Sequence, residues 1–297
     1  MNGVLIIDKP SGFTSHDVVA RVRRILHQRA VGHLGTLDPS ATGVLPLVLG
    51  NMTRLAQFYL ASEKNYEGVI RFGFSTDTYD AEGEPTSESL NPSLTLEKVR
   101  EFATKFTGII EQIPPPYSAK KIAGVPAYKL ARKKKDVTLK PINVEIKQFE
   151  IVAVEQAGTC ARFRAHVASG TYMRSVAQEM GQLAGCGAHL QSLRRTAVAE
   201  FHIEDAHTLE QLEQAARSQD GNNAVADFLV HPRKLLPAIP AVTATDEMVS
   251  RIRHGRPVNL PELSRAREVK VFSGQRDLIA ISTRVAGTLF HPKIVLL

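Results

Sequence analysis

The chain is short of residues that carry ready-made chemistry. Its 297 residues include two cysteines, Cys160 and Cys186. Two thiols make no disulfide framework and cannot alone hold a zinc ion, so they read as reduced. No apolar run reaches the ~18 residues of a membrane-spanning helix. The opening "MNGVLIIDKP" lacks a basic start and a long apolar stretch, so it does not read as a signal peptide. A phosphate loop of the form G-x-x-x-x-G-K-[ST] is missing, as are H-E-x-x-H, an EF-hand loop and C-x-x-C. "GCGAHL" begins like a dinucleotide fingerprint, but its third glycine position is Leu190 and it follows a predicted helix. The ten histidines are scattered, with no pair at a convincing ligand spacing. No metal and no organic cofactor is expected, and the chemistry falls to ordinary side chains. Acidic residues are also scarce: 30 Asp and Glu stand against 37 Lys and Arg, a net charge of +7. That balance favours an acidic partner such as nucleic acid. The chain reads as soluble and cytoplasmic.

What remains is an α+β pattern, with 43% apolar residues to build a sizeable core. The length suits one large domain and a small one. "GVLIIDK" is a short apolar strand. "SHDVVARVRRIL" predicts a helix with Ser15 as N-cap and Val18, Val19, Val22, Ile25 and Leu26 on one stripe. "TRLAQFYLAS" predicts a second helix, and "NYEGVIRFGF" a strand. "STDTYDAEGEPTSESLNPS" is a long polar loop, a class often used for binding. "LEKVREFATKFTG" predicts a helix closed by Gly108. Two strands, "VEIKQFEIVAV" and "ARFRAHVAS", lead to a helix, "TYMRSVAQEMGQLAG", and a strand, "LRRTAVAEF". "TLEQLEQAARSQ" is a surface helix. From Ala241 the texture changes to one helix and short β-like runs, a small mostly-β unit. No internal repeat or low-complexity tract is present.

Four stretches could carry function. In "GHLGTLDPSATGVLPL" a lone carboxylate, Asp38, sits among Gly and Pro residues that fix backbone shape. It reads either as an Asx-type turn or as a catalytic group. "IPPPYSAKKIAGVPAYKLARKKK" interleaves Lys120, Lys121, Lys129, Arg132, Lys133, Lys134 and Lys135 with Tyr117 and Tyr128. Cations for phosphates and aromatics for bases suit looped RNA; a solvated helix face is the plainer reading. "SGTYMRSVAQ" puts Arg174 in a helix's first turn, where the dipole disfavours a cation. Such an arginine has a carboxylate or phosphate partner, or points to water. Tyr66, near a strand start, reads as core or as a site residue.

The segments "GVLIIDKPSGFTSHDVV", "GHLGTLDPSATGVLPL", "EKNYEGVIRFGFSTDTYDAEG", "IPPPYSAKK", "SGTYMRSVAQEMG" and "LRRTAVAEF" occur in order over about residues 2–240. In these the chain resembles the bacterial TruB-type tRNA pseudouridine-55 synthases. The resemblance implies a pseudouridine synthase fold, with a mixed, mostly antiparallel sheet flanked by helices. It implies a catalytic domain over residues 1–240, with an RNA-binding insert around 75–140. A small, mostly-β, PUA-like domain would follow over 241–297. The implied activity detaches a T-arm uracil of tRNA at N1, turns it and rejoins it through C5, without metal or cofactor. Asp38 matches the catalytic aspartate, Tyr66 an aromatic stacked on the base, and Arg174 the arginine paired with the aspartate. His33 matches an RNA contact, and Tyr172 and Leu193 match residues lining the uracil pocket. Lys9 and Pro10 match a structural Lys-Pro pair, and Lys9 and Lys120 join the substrate-binding set. A dry site would raise the pKa of Asp38, and Arg174 would oppose that.

Small departures leave that reading intact: Leu34 stands where many relatives carry Thr, and Met173 where Ile is commoner. The C-terminal piece is short for a full PUA domain, though "TLFHPKIVLL" ends like one. Three rivals are a catalytically dead RNA-binding protein, a guide-RNA-dependent relative, and a glycosidase-like hydrolase. Asp38, Tyr66 and Arg174 together argue against the first. The long insert looks like the stand-alone form, which argues against the second; a monomer that needs no protein partner is the default expectation. The third needs a second acid, and none lies near Asp38 in sequence.

Overall fold

The computed structural model describes the chain apart from residues 119, 123 and 132–138 and the side chains of 121, 122, 126, 128, 129 and 222. The first half of the chain places β1 (Gly3–Lys9), α1 (Ser15–Ile25), β2 (Val31–His33), β3 (Thr42–Leu49), β4 (Lys64–Phe72), α2 (Leu96–Ala103) and β5 (Gly108–Gln112). A short ribbon of β6 (Lys121–Ile122) and β7 (Val125–Pro126) precedes α3 (Ala127–Ala131). Then come β8 (Ile142–Glu155), β9 (Cys160–Val167), α4 (Met173–Ala184), β10 (Ala188–Val198), β11 (Phe201–His202), α5 (Leu209–Arg217) and α6 (Gly221–Ala226). The C-terminal elements are β12 (Ala241–Ala244), α7 (Asp246–Arg253), β13 (Val258–Asn259), β14 (Glu268–Ser273), β15 (Asp277–Ala286) and β16 (Leu289–Val295).

The larger sheet runs β1-β3-β10-β4-β9-β8-β5, with β2 beside β3 and β11 beside β10. All its pairings are antiparallel except β3 with β10, so it is mixed and mostly antiparallel. The run "GVLIIDK" lacks alternation because β1 is buried on both faces. Leu5 and Ile7 pack with Val18, Val22, Leu209 and Leu212 under α1 and α5. Val4 and Ile6 face Met52, Leu55 and Phe201 on the other side. The far half of the sheet buries Ile70, Phe72 and Phe163 under α2 and α4, through Val99, Phe102, Val176 and Met180.

Three local expectations are corrected. The N-cap of α1 is Thr14, in a capping box with Asp17; the Ser15 hydroxyl is committed elsewhere, to Leu37. Gly108 does not close α2, which ends at Ala103; it opens β5 at φ +98°. The segment Gly50–Tyr59 is a 3-10 helix, burying Met52, Leu55 and Tyr59 at near three-residue spacing.

The second sheet, β12-β14-β15-β16-β13, is not a loose appendage. Its Phe272, Leu278, Ile281 and Ile294 share one apolar cluster with Met52, Leu55, Val198 and Leu235. Polar ties reinforce it: buried Lys270 donates to the carbonyls of Leu235 (2.5 Å) and Arg233 (3.1 Å). Arg54 donates to the Val295 carbonyl at 2.8 Å, and the Arg233 guanidinium lies 4.5 Å from the Phe272 ring centre. Because the core is shared, Phe272→Ala should destabilise the whole chain by about 3–5 kcal/mol, in one cooperative transition. Urea unfolding followed by two probes, one in each sheet, checks this; a separate early transition of the second sheet contradicts it.

Candidate active site

Residues 34–41, between β2 and β3, carry Asp38 and are pinned from two sides. The Ser15 hydroxyl accepts from the Leu37 N–H at 2.9 Å and donates to the Leu37 carbonyl at 3.1 Å. Lys9 is fully buried, and its ammonium donates to the carbonyls of Pro10 (2.9 Å), Phe13 (2.6 Å) and Pro39 (3.0 Å). Burial pushes its pKa down to about 8, and the Asp38 carboxylate opposes that fall. From the other side comes Arg195 of β10, 1% exposed. It donates to the carbonyls of Val44 (2.8 Å), Gly35 (3.0 Å) and Thr36 (3.2 Å). Burial lowers its pKa, against the pull of Tyr66 and Asp38. Gly43 permits this approach: at φ +102°, a Cβ there would lie 2.2 Å from the Arg195 carbonyl oxygen.

The pinned loop presents Asp38 to Arg174 at the start of α4. Arg174 Nε lies 2.9 Å from Asp38 Oδ2, and Nη2 donates to Oδ1 at 3.1 Å, a two-pronged pair. The arginine side chain is 7% exposed and that of Asp38 38%, so the carboxylate is the member a ligand can reach. The same guanidinium donates to the carbonyls of Thr78 (3.3 Å) and Tyr117 (3.0 Å). It also lies 3.7 Å from Oδ2 of buried Asp80. Asp80 is held in turn by the Thr78 hydroxyl at 2.6 Å and the Glu82 N–H at 3.1 Å. Burial raises the Asp38 pKa, Arg174 pulls it down and Asp80 pushes it up; burial prevails, and the group titrates above its ordinary value.

The other residues singled out from the sequence divide into two groups. Tyr66 of β4 pairs with Arg195 across the sheet and packs in the core beside Leu37 and Ala41, both from the Asp38 loop. It is thus a core residue that also borders the Asp38 loop. Tyr172, half-buried, caps the start of α4 next to Arg174. Leu193 lies on β10 and borders a cleft of about 560 Å³ with Thr42, Gly68 and Arg194. His33 is half-buried, takes the Gly35 N–H on Nδ1 at 3.3 Å, and meets the His16 ring edge-on at 5.7 Å. Burial, His16 and Arg195 all lower its pKa. Lys9, with no exposure and three carbonyl partners, is placed under the loop and not at its surface. Lys120 is exposed. Arg132, Lys133, Lys134 and Lys135 lie outside the described residues, as do the side chains of Lys121, Tyr128 and Lys129.

Two polar residues of this site escaped the sequence reading. Arg195 had a weak signal: it shares a β-strand face with Leu193, although a bulge after it puts Ala197 on the other face. Asp80 had none, being one acid among several in a polar loop.

Two family models cover most of the chain. The TruB family pseudouridylate synthase N-terminal domain matches residues 23–173. The tRNA pseudouridylate synthase B C-terminal domain matches residues 174–237. The chain belongs to the TruB family of pseudouridylate synthases. The tRNA pseudouridine synthase B of Solibacter usitatus (strain Ellin6076) is 49% identical over 300 residues, covering 100% of both chains. That of Aquifex aeolicus (strain VF5) is 36% identical over 296 residues, again covering 100% of both. Among solved structures, a Cbf5-Nop10-Gar1 complex chain matches with a TM-score of 0.72 at 26% identity, covering 99% of this chain and 85% of that one. The fold is therefore that of the pseudouridine synthases, with a β-rich, PUA-like C-terminal unit.

The charge balance around Asp38 has a measurable consequence. In a carboxyl-detected NMR titration Asp38 should titrate above the ordinary carboxylate range. Arg174→Leu should move it further up, and Asp80→Asn should move it down. An Asp38 signal unmoved in Arg174→Leu would contradict the pairing.

Proposed function

We propose that this enzyme converts the uridine at position 55, in the T-arm loop of tRNA, to pseudouridine, with Asp38 as nucleophile. The observation that supports it most is the reachable Asp38 carboxylate, clasped by Arg174 in a rigid loop. A carboxylate needs no base to activate it once ionised and positioned. Asp38 forms a bond to the target nucleoside and the N1–C1′ bond breaks. The freed base turns within the site, and C5 bonds to C1′. The C5 hydrogen leaves as a proton, N1 gains a proton, and Asp38 is released; the product is an isomer of the substrate. Flipping a uridine out of a structured loop costs a few kcal/mol. Stacking on Tyr66 returns about 1–3 kcal/mol of that. Tyr66 is the candidate for helping the C5 proton away.

Residues 1–240 form the catalytic unit in this reading, with the region around 75–140 contacting RNA, and 241–297 form an RNA-binding unit. Relatives of near-equal length are named as tRNA pseudouridine synthases, which supports tRNA as the substrate. The enzyme works as a monomer in the cytoplasm, without a guide RNA or a protein partner.

Asp38→Asn is near-isosteric. It should abolish release of tritium from C5-labelled tRNA, while affinity changes by less than about tenfold, or ~1.4 kcal/mol. The wild-type chain should release tritium with no RNA or protein added beyond substrate. Turnover by Asp38→Asn within tenfold of wild type would sink the nucleophile assignment.

The second sheet offers a separate test. Because it shares the core, deleting it would unfold the chain, so exposed charges are the right target. Arg251, Arg253 and Arg256 are all exposed on or just after α7. Changing each to Gln should lower the slope of log K against log salt by about 0.7–0.9 for every phosphate that is no longer neutralised. The effect should appear with whole tRNA and vanish with an isolated T-arm stem-loop.

A further inference from the structure

The stretch "STDTYDAEGE" is polar throughout, and its residues 76–84 close tightly around one carboxylate. Asp80 accepts from the Thr78 hydroxyl at 2.6 Å and from the Glu82 N–H at 3.1 Å. Its own carbonyl accepts from the Thr76 hydroxyl at 2.7 Å and the Gly83 N–H at 3.3 Å. Asp77 and Glu84 close the base: the Asp77 N–H donates to the Glu84 carbonyl at 3.1 Å, and the Glu84 N–H to the Asp77 carboxylate at 2.9 Å. The loop docks on β10 at Leu190. The Leu190 N–H donates to the Tyr79 carbonyl at 2.9 Å, and its carbonyl accepts from the Ala81 N–H at 3.1 Å.

One residue of this loop has a backbone conformation that side chains resist. Tyr79 has φ +65°, in the left-handed region. There the Cβ crowds the following carbonyl oxygen; glycine has no such clash, asparagine tolerates it and β-branched residues tolerate it least. An outlier of this kind persists where its surroundings require it. Among the described residues, Tyr79 is the one left-handed non-glycine residue that lies between two contacts of Arg174. On one side the Thr78 carbonyl accepts from Arg174 Nη1 at 3.3 Å; on the other, Asp80 Oδ2 lies 3.7 Å from Nε. The carbonyl between them, that of Tyr79, turns away to Leu190. Rotating φ of Tyr79 into the common negative range swings the Thr78 carbonyl relative to Asp80. One guanidinium then no longer meets both while Leu190 keeps its bond.

We propose that Tyr79 is a positioning residue for the isomerisation: its left-handed backbone holds Thr78 and Asp80 against Arg174 and thereby fixes the guanidinium that aims the Asp38 carboxylate. The proposal rests on the uridine-isomerase reading and adds a residue to it. Arg174 Nε stands 2.9 Å from Asp38 and 3.7 Å from Asp80, so it serves both carboxylates. Withdrawing Asp80 leaves the guanidinium to Asp38 and removes a like charge, and Asp38 then ionises more easily.

The test separates backbone from ring with variants that all lack the ring. Tyr79→Gly and Tyr79→Asn keep access to the left-handed region, Tyr79→Val resists it, and Tyr79→Ala stands between. Each is given a T-arm stem-loop carrying the target uridine. Nucleoside chromatography yields kcat and KM, and the Asp38 carboxyl is titrated by NMR. Tyr79→Val should lose on the order of tenfold or more in kcat, because its carboxylate is misplaced, with KM little changed. Tyr79→Gly and Tyr79→Asn should stay within about threefold of wild type. Asp38 should titrate lower in Tyr79→Val than in wild type, and near wild type in Tyr79→Gly. Should Tyr79→Val melt too low to assay, Tyr79→Ala supplies the comparison, with a smaller loss in the same direction. Glycine and asparagine variants that fall as far as the valine variant would show that the ring is what matters and overturn the proposal. An unmoved Asp38 in Tyr79→Val would overturn it too. A wild-type enzyme that leaves uridine unconverted would instead strike down the isomerase reading, while the Asp38 titrations still decide the role of Tyr79.

Discussion

The guanidinium of Arg174 gathers oxygens from three segments far apart in the chain: Asp38, Thr78 and Tyr117. Only a planar group with five fixed donors can hold a carboxylate in two prongs and still reach two carbonyls. Its place in the first turn of α4 is unfavourable for a cation, because exposed N–H groups already lend that end positive charge. The carboxylates of Asp38 and Asp80 offset this. The arrangement is therefore mutual: the loops are shaped by the arginine, and the arginine is held in a buried, dipole-opposed place by what the loops bring. Two carboxylates on one guanidinium also leave Asp38 incompletely neutralised, so burial decides its pKa.

Beneath that cluster the sheet supplies the fixed frame. β3 and β10 run parallel where Thr42 and Gly43 meet Arg194 and Arg195, the one parallel pairing between strands of the larger sheet among the described residues. The missing Cβ of Gly43 lets Arg195 come under the Asp38 loop and take three of its flanking carbonyls. Lys9, from β1, takes one carbonyl of that loop, Pro39, and two of the β1–α1 connection, Pro10 and Phe13. Two buried cations thus meet backbone oxygens that a tight loop leaves without partners. Their fields also favour an ionised Asp38, against the desolvation that raises its pKa.

Much of this was legible in the sequence, for identifiable reasons. Strands such as "GVLIIDK" and helices such as "SHDVVARVRRIL" are read from period and composition, and both stand where expected to within a residue or two. Asp38 stood out because it was alone among residues that fix backbone shape. Arg174 stood out because it was in the wrong turn of a helix. What stayed hidden depends on contacts between distant segments. Nothing local distinguishes Asp80 from Asp77 or Glu82; only the fold of their loop against Leu190 brings Asp80 to the arginine. Ser15 reads as a cap from its neighbours, yet the residue before it makes the better capping box and frees it for Leu37. Likewise the β-like texture after Ala241 is visible in sequence, but not that its apolar face is shared with Met52 and Leu55.

That shared core has a geometric consequence. Two units joined by a flexible linker can close around ligands of different sizes. Two units that bury Phe272 and Leu55 in one apolar cluster cannot slide without opening a cavity. The distance between the Asp38 carboxylate and the exposed arginines of α7 is then a constant of the molecule. On the proposed RNA-binding reading, the two ends form a calliper locked at one setting. An RNA that touches both ends must bring its own two contact points to that spacing, and one too short, too long or differently folded reaches only one jaw whatever its sequence.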